Sequence, residues 1–131
     1  MSNKKRILLV DDDRDFLEAT KIVLEKSGYV VTACASAQEC LDALDTAKPD
    51  VIVCDVMMET DHSGFDLCRQ LKRAPETKEI PVLMLTAIDQ KYPLHFASAA
   101  GDEHWLPVDD YVDKPVEAGV LVDRIKKLLK D

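Results

Sequence analysis

Three consecutive aspartates, Asp11, Asp12 and Asp13, follow the apolar run Ile7 Leu8 Leu9 Val10, and a fourth, Asp55, follows a second run, Val51 Ile52 Val53 Cys54. If both runs are strands of one sheet, their carboxylates gather at one edge. Two carboxylates about 4 Å apart at an effective dielectric near 20 repel by roughly 4 kcal/mol, so such a cluster persists only with a bound metal, a paired lysine or a raised pKa. Thr86, after Pro81 to Leu85, and Lys114, after Tyr111 Val112, add a hydroxyl and an ammonium at the ends of two further apolar runs.

The elements that must bring these groups together are readable from period and punctuation. Apolar runs of four or five residues alternate with stretches of helical period, the pattern of a parallel sheet covered on both faces. Arg6 to Val10 is the first strand. From Asp13 to Ser27, Phe16, Ala19 and Val23 with Leu17 and Leu24 form a helical stripe that ends at Gly28, a good C-cap, with Asp13 placed to cap the start. Val30 to Ala33 is the second strand. Ser36 and Glu39 have the spacing of a capping box, which predicts a helix to about Thr46. Pro49 Asp50 leads into a third strand, Val51 to Cys54. Phe65, Cys68 and Leu71 mark a helix after Gly64, Pro81 to Leu85 a fourth strand, Tyr111 Val112 a short fifth, and Leu121, Ile125 and Leu128 a final helix. Pro93 could start a short helix that Gly101 ends.

Right-handed crossovers place the C-terminal ends of all parallel strands at one edge, and the site of a doubly wound sheet lies where the strand order reverses. With order 2-1-3-4-5 the reversal falls between strands one and three, whose ends carry Asp11, Asp12 and Asp55. Thr86 and Lys114 arrive at the same edge. Each has a plainer reading: an Asp after a strand is often only a helix cap, a Thr bonds its own turn, and a Lys is a solvated loop charge. Acid, acid, hydroxyl and ammonium at four strand ends are hard to explain as accident.

Composition narrows the function classes. The chain has 131 residues, which fits a single domain over 1–131. A formal charge of -8 and a pI near 4.8 argue against a nucleic-acid surface, since phosphate binding rests on Lys and Arg. Cys34, Cys40, Cys54 and Cys68 contain no CxxC pair and sit in or beside apolar stretches, so buried free thiols in a reducing cytosol are expected. No apolar segment is long enough for a signal peptide or a membrane span, and a cytoplasmic location without membrane contact is expected.

The residues Leu8 Leu9 Val10 Asp11 Asp12, then Asp50 to Met58, then Leu85 Thr86 Ala87, and finally Asp110 Tyr111 Val112 Asp113 Lys114 Pro115 together resemble a receiver domain of two-component response regulators, over almost the whole chain. The resemblance implies a flavodoxin-like α/β fold, a doubly wound five-stranded parallel sheet of order 2-1-3-4-5 with helices on both faces. It implies that Asp55 is the phosphoacceptor, with Asp12 and Asp55 binding Mg²⁺ directly, Asp11 through water, and the backbone carbonyl of Met57 as a third protein ligand. Such an oxygen-only shell suits Mg²⁺.

By the same resemblance Lys114 offsets charge on the phosphoryl oxygens, Thr86 donates to one of them, and small Ala87 leaves room. Thr86 and Tyr111 form the switch that remodels the face built from the helix after strand four, strand five and the last helix, and a cis Lys114–Pro115 peptide aims the ammonium. The donor would be a histidine kinase or a histidine phosphotransfer protein. The chain would be no enzyme beyond catalysing its own phosphorylation and dephosphorylation.

Two departures from the family pattern stand out. Glu59 to Gly64 runs one residue longer than usual and lacks proline, and Glu59 could add an acidic group. Between Thr86 and Lys114 the chain is about six residues longer, with Asp102 to Val108 as the insertion, where Trp105 is either a partner anchor or, the favoured reading, a flap packed on its own domain. His62, His95 and His104 have no metal spacing. Two past Asp55 and two past Thr86 stand Met57 and Ile88, both apolar, which implies slow self-dephosphorylation. Competing readings are a docking domain that has lost the switch, and a phosphohydrolase of the haloacid dehalogenase type. The latter wants a second Asp two residues after its nucleophile and then a Thr; neither Asp11 with Asp13 nor Asp55 with Met57 is followed by that Thr. A flavin site is disfavoured because three aspartates would face the flavin phosphate.

Overall fold

A computed structural model describes residues 4–46, 48–55, 63–86, 110–113 and 117–129. Five parallel strands, β1 (Arg6–Val10), β2 (Val30–Cys34), β3 (Val51–Asp55), β4 (Val82–Thr86) and β5 (Asp110–Asp113), pair in the order β2-β1-β3-β4-β5. The helices are α1 (Arg14–Lys26), α2 (Ala37–Leu44), α3 (Ser63–Arg73) and α4 (Ala118–Leu129).

Strand alternation sorts the core into two layers. On one face Ile7, Leu9, Val51, Val53, Leu83 and Leu85 pack with Leu17 and Leu24 of α1 and Leu121 and Ile125 of α4. On the other Leu8, Val10, Ile52, Cys54, Val82 and Met84 pack with Cys40 of α2 and Leu67, Cys68 and Leu71 of α3. Because both faces are covered, β1 and β3 are unbroken apolar runs rather than alternating ones. Each fully buried Leu, Ile or Val contributes roughly 1.5–3 kcal/mol from apolar burial.

The caps are where local sequence fixes element ends. Asp13 caps α1, its carboxylate accepting the Phe16 N–H. Gly28, at φ 101°, closes α1: its N–H donates to the Glu25 carbonyl and that of Tyr29 to Leu24, while Tyr29 and Leu24 share the core layer. This is a Schellman closure, and the left-handed φ explains the glycine. Ser36 accepts from Glu39 N–H at 3.1 Å, the cap half of the expected box, but Glu39 Oε1 reaches back to the N–H of Ala35 at 3.0 Å, one residue before the cap rather than to that of Ser36.

Several boundaries differ from the sequence reading. The buried stripe of α1 is Leu17, Thr20 and Leu24, with Phe16 and Val23 at its flanks and Ala19 exposed. Helix α2 stops at Leu44, because Asp45 and Thr46 N–H groups already turn back to Asp42 and Ala43 carbonyls. Gly64 lies within the first turn of α3 rather than before it. Pro81 precedes β4 and serves only as an acceptor, from Ile52 N–H, since it has no N–H to give the ladder. Asp55 and Thr86 are the last residues of their strands, not the first beyond them.

Candidate functional site

Register brings the acids together. Val10 of β1 is aligned with Cys34 of β2 and with Cys54 of β3, so Asp11 and Asp55 each stand one step past an aligned pair on neighbouring strands. The Asp11 N–H donates to the Cys34 carbonyl at 3.0 Å, carrying the ladder one rung beyond β1. Both residues continue the parity of Leu9 and Val53, the set that faces α1 and α4, so the alternation puts them on the same side of the sheet.

The side chains complete the picture. Asp11 Oδ1 accepts the Asp13 N–H at 3.0 Å, a tight Asx-type turn that leads straight into the α1 cap. Asp13 is thereby committed to capping, and exposed Asp12 is carried over the strand ends. One carboxylate oxygen from each of Asp11, Asp12 and Asp55 lies within 4.8 Å of the other two. Asp11 is fully buried and Asp55 is 6 % exposed, so their mutual repulsion is poorly screened. The start of α1 immediately after Asp13 adds a favourable partial positive charge.

An all-oxygen donor set of two buried carboxylates and one exposed one fits a small hard cation such as Mg²⁺, which keeps water in its shell and takes few protein ligands. The same three carboxylates suit neither a soft ion nor an anion. Asp55 is the member that ends a central strand, between β1 and β4.

Below the cluster lie the four cysteines, all free and buried, all in the layer under α2 and α3. Burial pushes the Cys34 thiol up to about 11 and the Cys40 thiol to about 12. The Cys54 thiol is held well above its ordinary value, first by its hydrogen bond with Cys68 and then by burial. Its sulfur donates to the Asp55 carbonyl oxygen at 3.4 Å.

Of the other residues singled out in the sequence, Thr86 ends β4 one step beyond Leu85, the partner of Asp55, and its backbone pairs with Asp113 of β5. The backbone of Tyr111 pairs with Met84. The side chains of Thr86 and Tyr111 lie outside the described residues. So do Met57, Glu59, His62, Ala87, Ile88, the expected helix between Pro93 and Gly101, His95, the Asp102 to Val108 insertion with His104 and Trp105, and Lys114–Pro115.

Among the described residues no helix is long and apolar enough to cross a membrane. The family model for the response regulator receiver domain matches residues 7–126. The chain is 36 % identical over 126 residues to the alkaline phosphatase synthesis transcriptional regulatory protein PhoP of Bacillus subtilis, covering 96 % of this chain and 49 % of that one. It is 40 % identical over 123 residues to the heme response regulator HssR of Staphylococcus saprophyticus, covering 94 % of this chain and 50 % of that one. The chain thus spans about half the length of these curated relatives. A crystal structure of the signal receiver domain of a signal transduction histidine kinase from Syntrophus aciditrophicus superposes with a TM-score of 0.81 at 32 % identity, over 96 % of this chain and 90 % of that one. With strand order, acidic cluster and matched span in agreement, the chain belongs to the response regulator receiver domain family of two-component signalling.

Proposed function

We propose that Asp55 accepts a phosphoryl group from a histidine kinase or a histidine phosphotransfer protein in a Mg²⁺-dependent reaction, and that the modification switches the face of β5 and α4 toward a partner. The observation that carries this reading is the meeting of Asp11, Asp12 and Asp55 from two adjacent strands within 4.8 Å.

In this reading Asp12, Asp55 and the Met57 carbonyl would hold Mg²⁺ directly and Asp11 through water, and the ion would supply positive charge against the phosphoryl oxygens. A carboxylate oxygen of Asp55 forms the new O–P bond as the N–P bond to the donor imidazole breaks, and the imidazole leaves with the electron pair. Phosphoryl transfer asks the protein for alignment and charge stabilisation rather than covalent help. Lys114 supplies a second positive charge, and Thr86 donates to a phosphoryl oxygen of the product. The acyl phosphate takes Asp55 from a charge of about -1 to about -2, which favours inward movement of Thr86 and Tyr111. The chain then acts on no substrate but its own acyl phosphate. A cytoplasmic setting follows from the donor, and the output would lie in a further domain or a separate protein.

Incubation with Mg²⁺ and acetyl phosphate, followed by intact mass measurement, tests this. Wild type gains one phosphoryl group, and Asp55→Asn or an excess of EDTA prevents the gain. An Asp55→Asn variant labelled as well as wild type would contradict it.

A further inference from the structure

A cleft of about 610 Å³ opens between α2 and the C-terminal end of α3, at the edge of the sheet where the strands begin and opposite the acidic cluster at their ends. Its floor is apolar: Leu71 and Ile80 are buried, while Leu41 and Leu44, one helical turn apart on α2, are only half-buried. Its rim carries three exposed carboxylates, Asp42, Asp45 and Glu76, against one ammonium, Lys48. Two of these acids stand where a helix least tolerates them. The C-terminal end of a helix is its negative pole, and α1, α3 and α4 each place a basic residue in the last turn. Helix α2 has none there; Asp42 lies in its last turn and Asp45 is its C-cap. Asp42 accepts from Gln38 Nε2 at 3.0 Å, and among the described residues neither Asp45 nor Glu76 forms an ion pair. The ammonium of Lys72 is turned to the Lys78 and Ile80 carbonyls instead.

We propose that this cleft docks a basic amphipathic helix of a partner protein, its apolar side chains on the leucine floor and its lysines or arginines against Asp42, Asp45 and Glu76. Three observations select that occupant. A groove between two helices presents an apolar strip of the kind that a helix face covers. The rim is too exposed to enclose a small molecule, which needs most of its own surface buried. Cations supplied from outside relieve the unfavourable charge that α2 carries at its negative pole. The cleft shares no residue with the acidic cluster, so docking here is independent of phosphoryl acceptance at Asp55.

The test uses a fluorescein-labelled peptide of Leu and Lys with its leucines along one helical face, and a second peptide of the same composition in scrambled order, each titrated with the whole chain and followed by fluorescence anisotropy. The ordered peptide should bind, more weakly as NaCl rises, and Asp45→Asn with Glu76→Gln should weaken it about fivefold, the loss expected for two exposed charge pairs. Leu44→Ser should weaken it as well. Asp15→Asn with Glu18→Gln removes the same charge from exposed positions of α1 and should leave the affinity unchanged. Equal weakening by the two charge-removing pairs, or equal binding of the scrambled peptide, would mean attraction to the net charge of -8 alone and overturns the proposal, as does no binding. Sedimentation of the free protein runs alongside: a dimer that Leu44→Ser separates would make a second copy the occupant and overturns it too. Urea unfolding supplies a readout apart from binding. Asp45→Asn should raise the midpoint, because the native acid opposes the α2 dipole, and a lowered midpoint would show that the acid serves the fold and overturn the proposal.

Discussion

Removing one buried charge from the acidic cluster should stabilise the protein when divalent cations are absent. Asp11→Asn is the cleanest such change, because Asn retains an Oδ1 to accept the Asp13 N–H that the native carboxylate accepts at 3.0 Å. Asp11 and Asp55 are both buried, and their oxygens lie within 4.8 Å. At an effective dielectric near 20 that separation corresponds to a repulsion of about 3.5 kcal/mol. The pair with exposed Asp12 is screened toward the roughly 0.9 kcal/mol expected in water. Neighbouring dipoles and groups offset part of the sum, which leaves an expected gain of about 1–2 kcal/mol, or about 4–8 °C in Tm for a domain of this size. Thermal unfolding followed by circular dichroism in EDTA measures it. In Mg²⁺ at about ten times its dissociation constant, wild type should recover about 1.4 kcal/mol through linkage, and Asp11→Asn much less. An Asp11→Asn variant that is no more stable than wild type in EDTA, and that gains as much from Mg²⁺, would refute the idea that these carboxylates form one strained cation site.

Three further expectations follow from particular residues. Gly28→Ala should cost about 1–2 kcal/mol in urea unfolding, although no atom lies within 4 Å of the added Cβ, because φ 101° strains an L side chain; an unchanged midpoint would count against the Schellman closure. Met57→Asn with Ile88→Glu should speed loss of phosphate from the labelled protein, by giving polar side chains that can orient a water; an unchanged rate of loss refutes the proposed cause of slow turnover. Stability should fall as pH rises above about 9, because the thiols of Cys34 and Cys40 ordinarily lose their protons near 9.0 but hold them to about 11 and about 12 when folded. Their contribution is complete below pH 9 and is lost as pH climbs through those folded values, at up to about 1.4 kcal/mol per pH unit for each. Urea midpoints between pH 8 and 10.5 check this, and Cys40→Ala should show a shallower decline.

Strand existence and the placing of acids at strand ends were legible in the sequence because each rests on short-range information, whereas the strand order, which the structure bears out, came only with the resemblance to receiver domains. Ile7 to Val10 and Val51 to Cys54 are apolar on both faces, and such runs have few alternatives to a doubly covered parallel strand. Gly28 and the pair Ser36 and Glu39 announced their caps for equally local reasons. Element ends were less legible. Whether Asp55 and Thr86 close their strands or follow them depends on a ladder bond to the neighbouring strand, which no local pattern encodes. The burial of Thr20 was missed because a hydroxyl on a helix reads as solvent-facing until α1 is laid on the sheet. Likewise Lys72 reads as a surface charge, yet its ammonium donates to the Ile80 carbonyl at 3.0 Å and ties the α3–β4 connection to the end of α3. The contact of Cys54 with Cys68 joins residues whose meeting is decided by tertiary packing alone.

Manganese can replace magnesium in an oxygen-ligand site and scatters anomalously. A crystal of the protein soaked in MnCl₂ should give one strong anomalous peak between the carboxylates of Asp11, Asp12 and Asp55, and Asp12→Asn should weaken it. A crystal with no peak at that strand edge, or with its only peak elsewhere, would show that the acids gather there for some other reason, and phosphoryl acceptance at Asp55 would lose its physical basis.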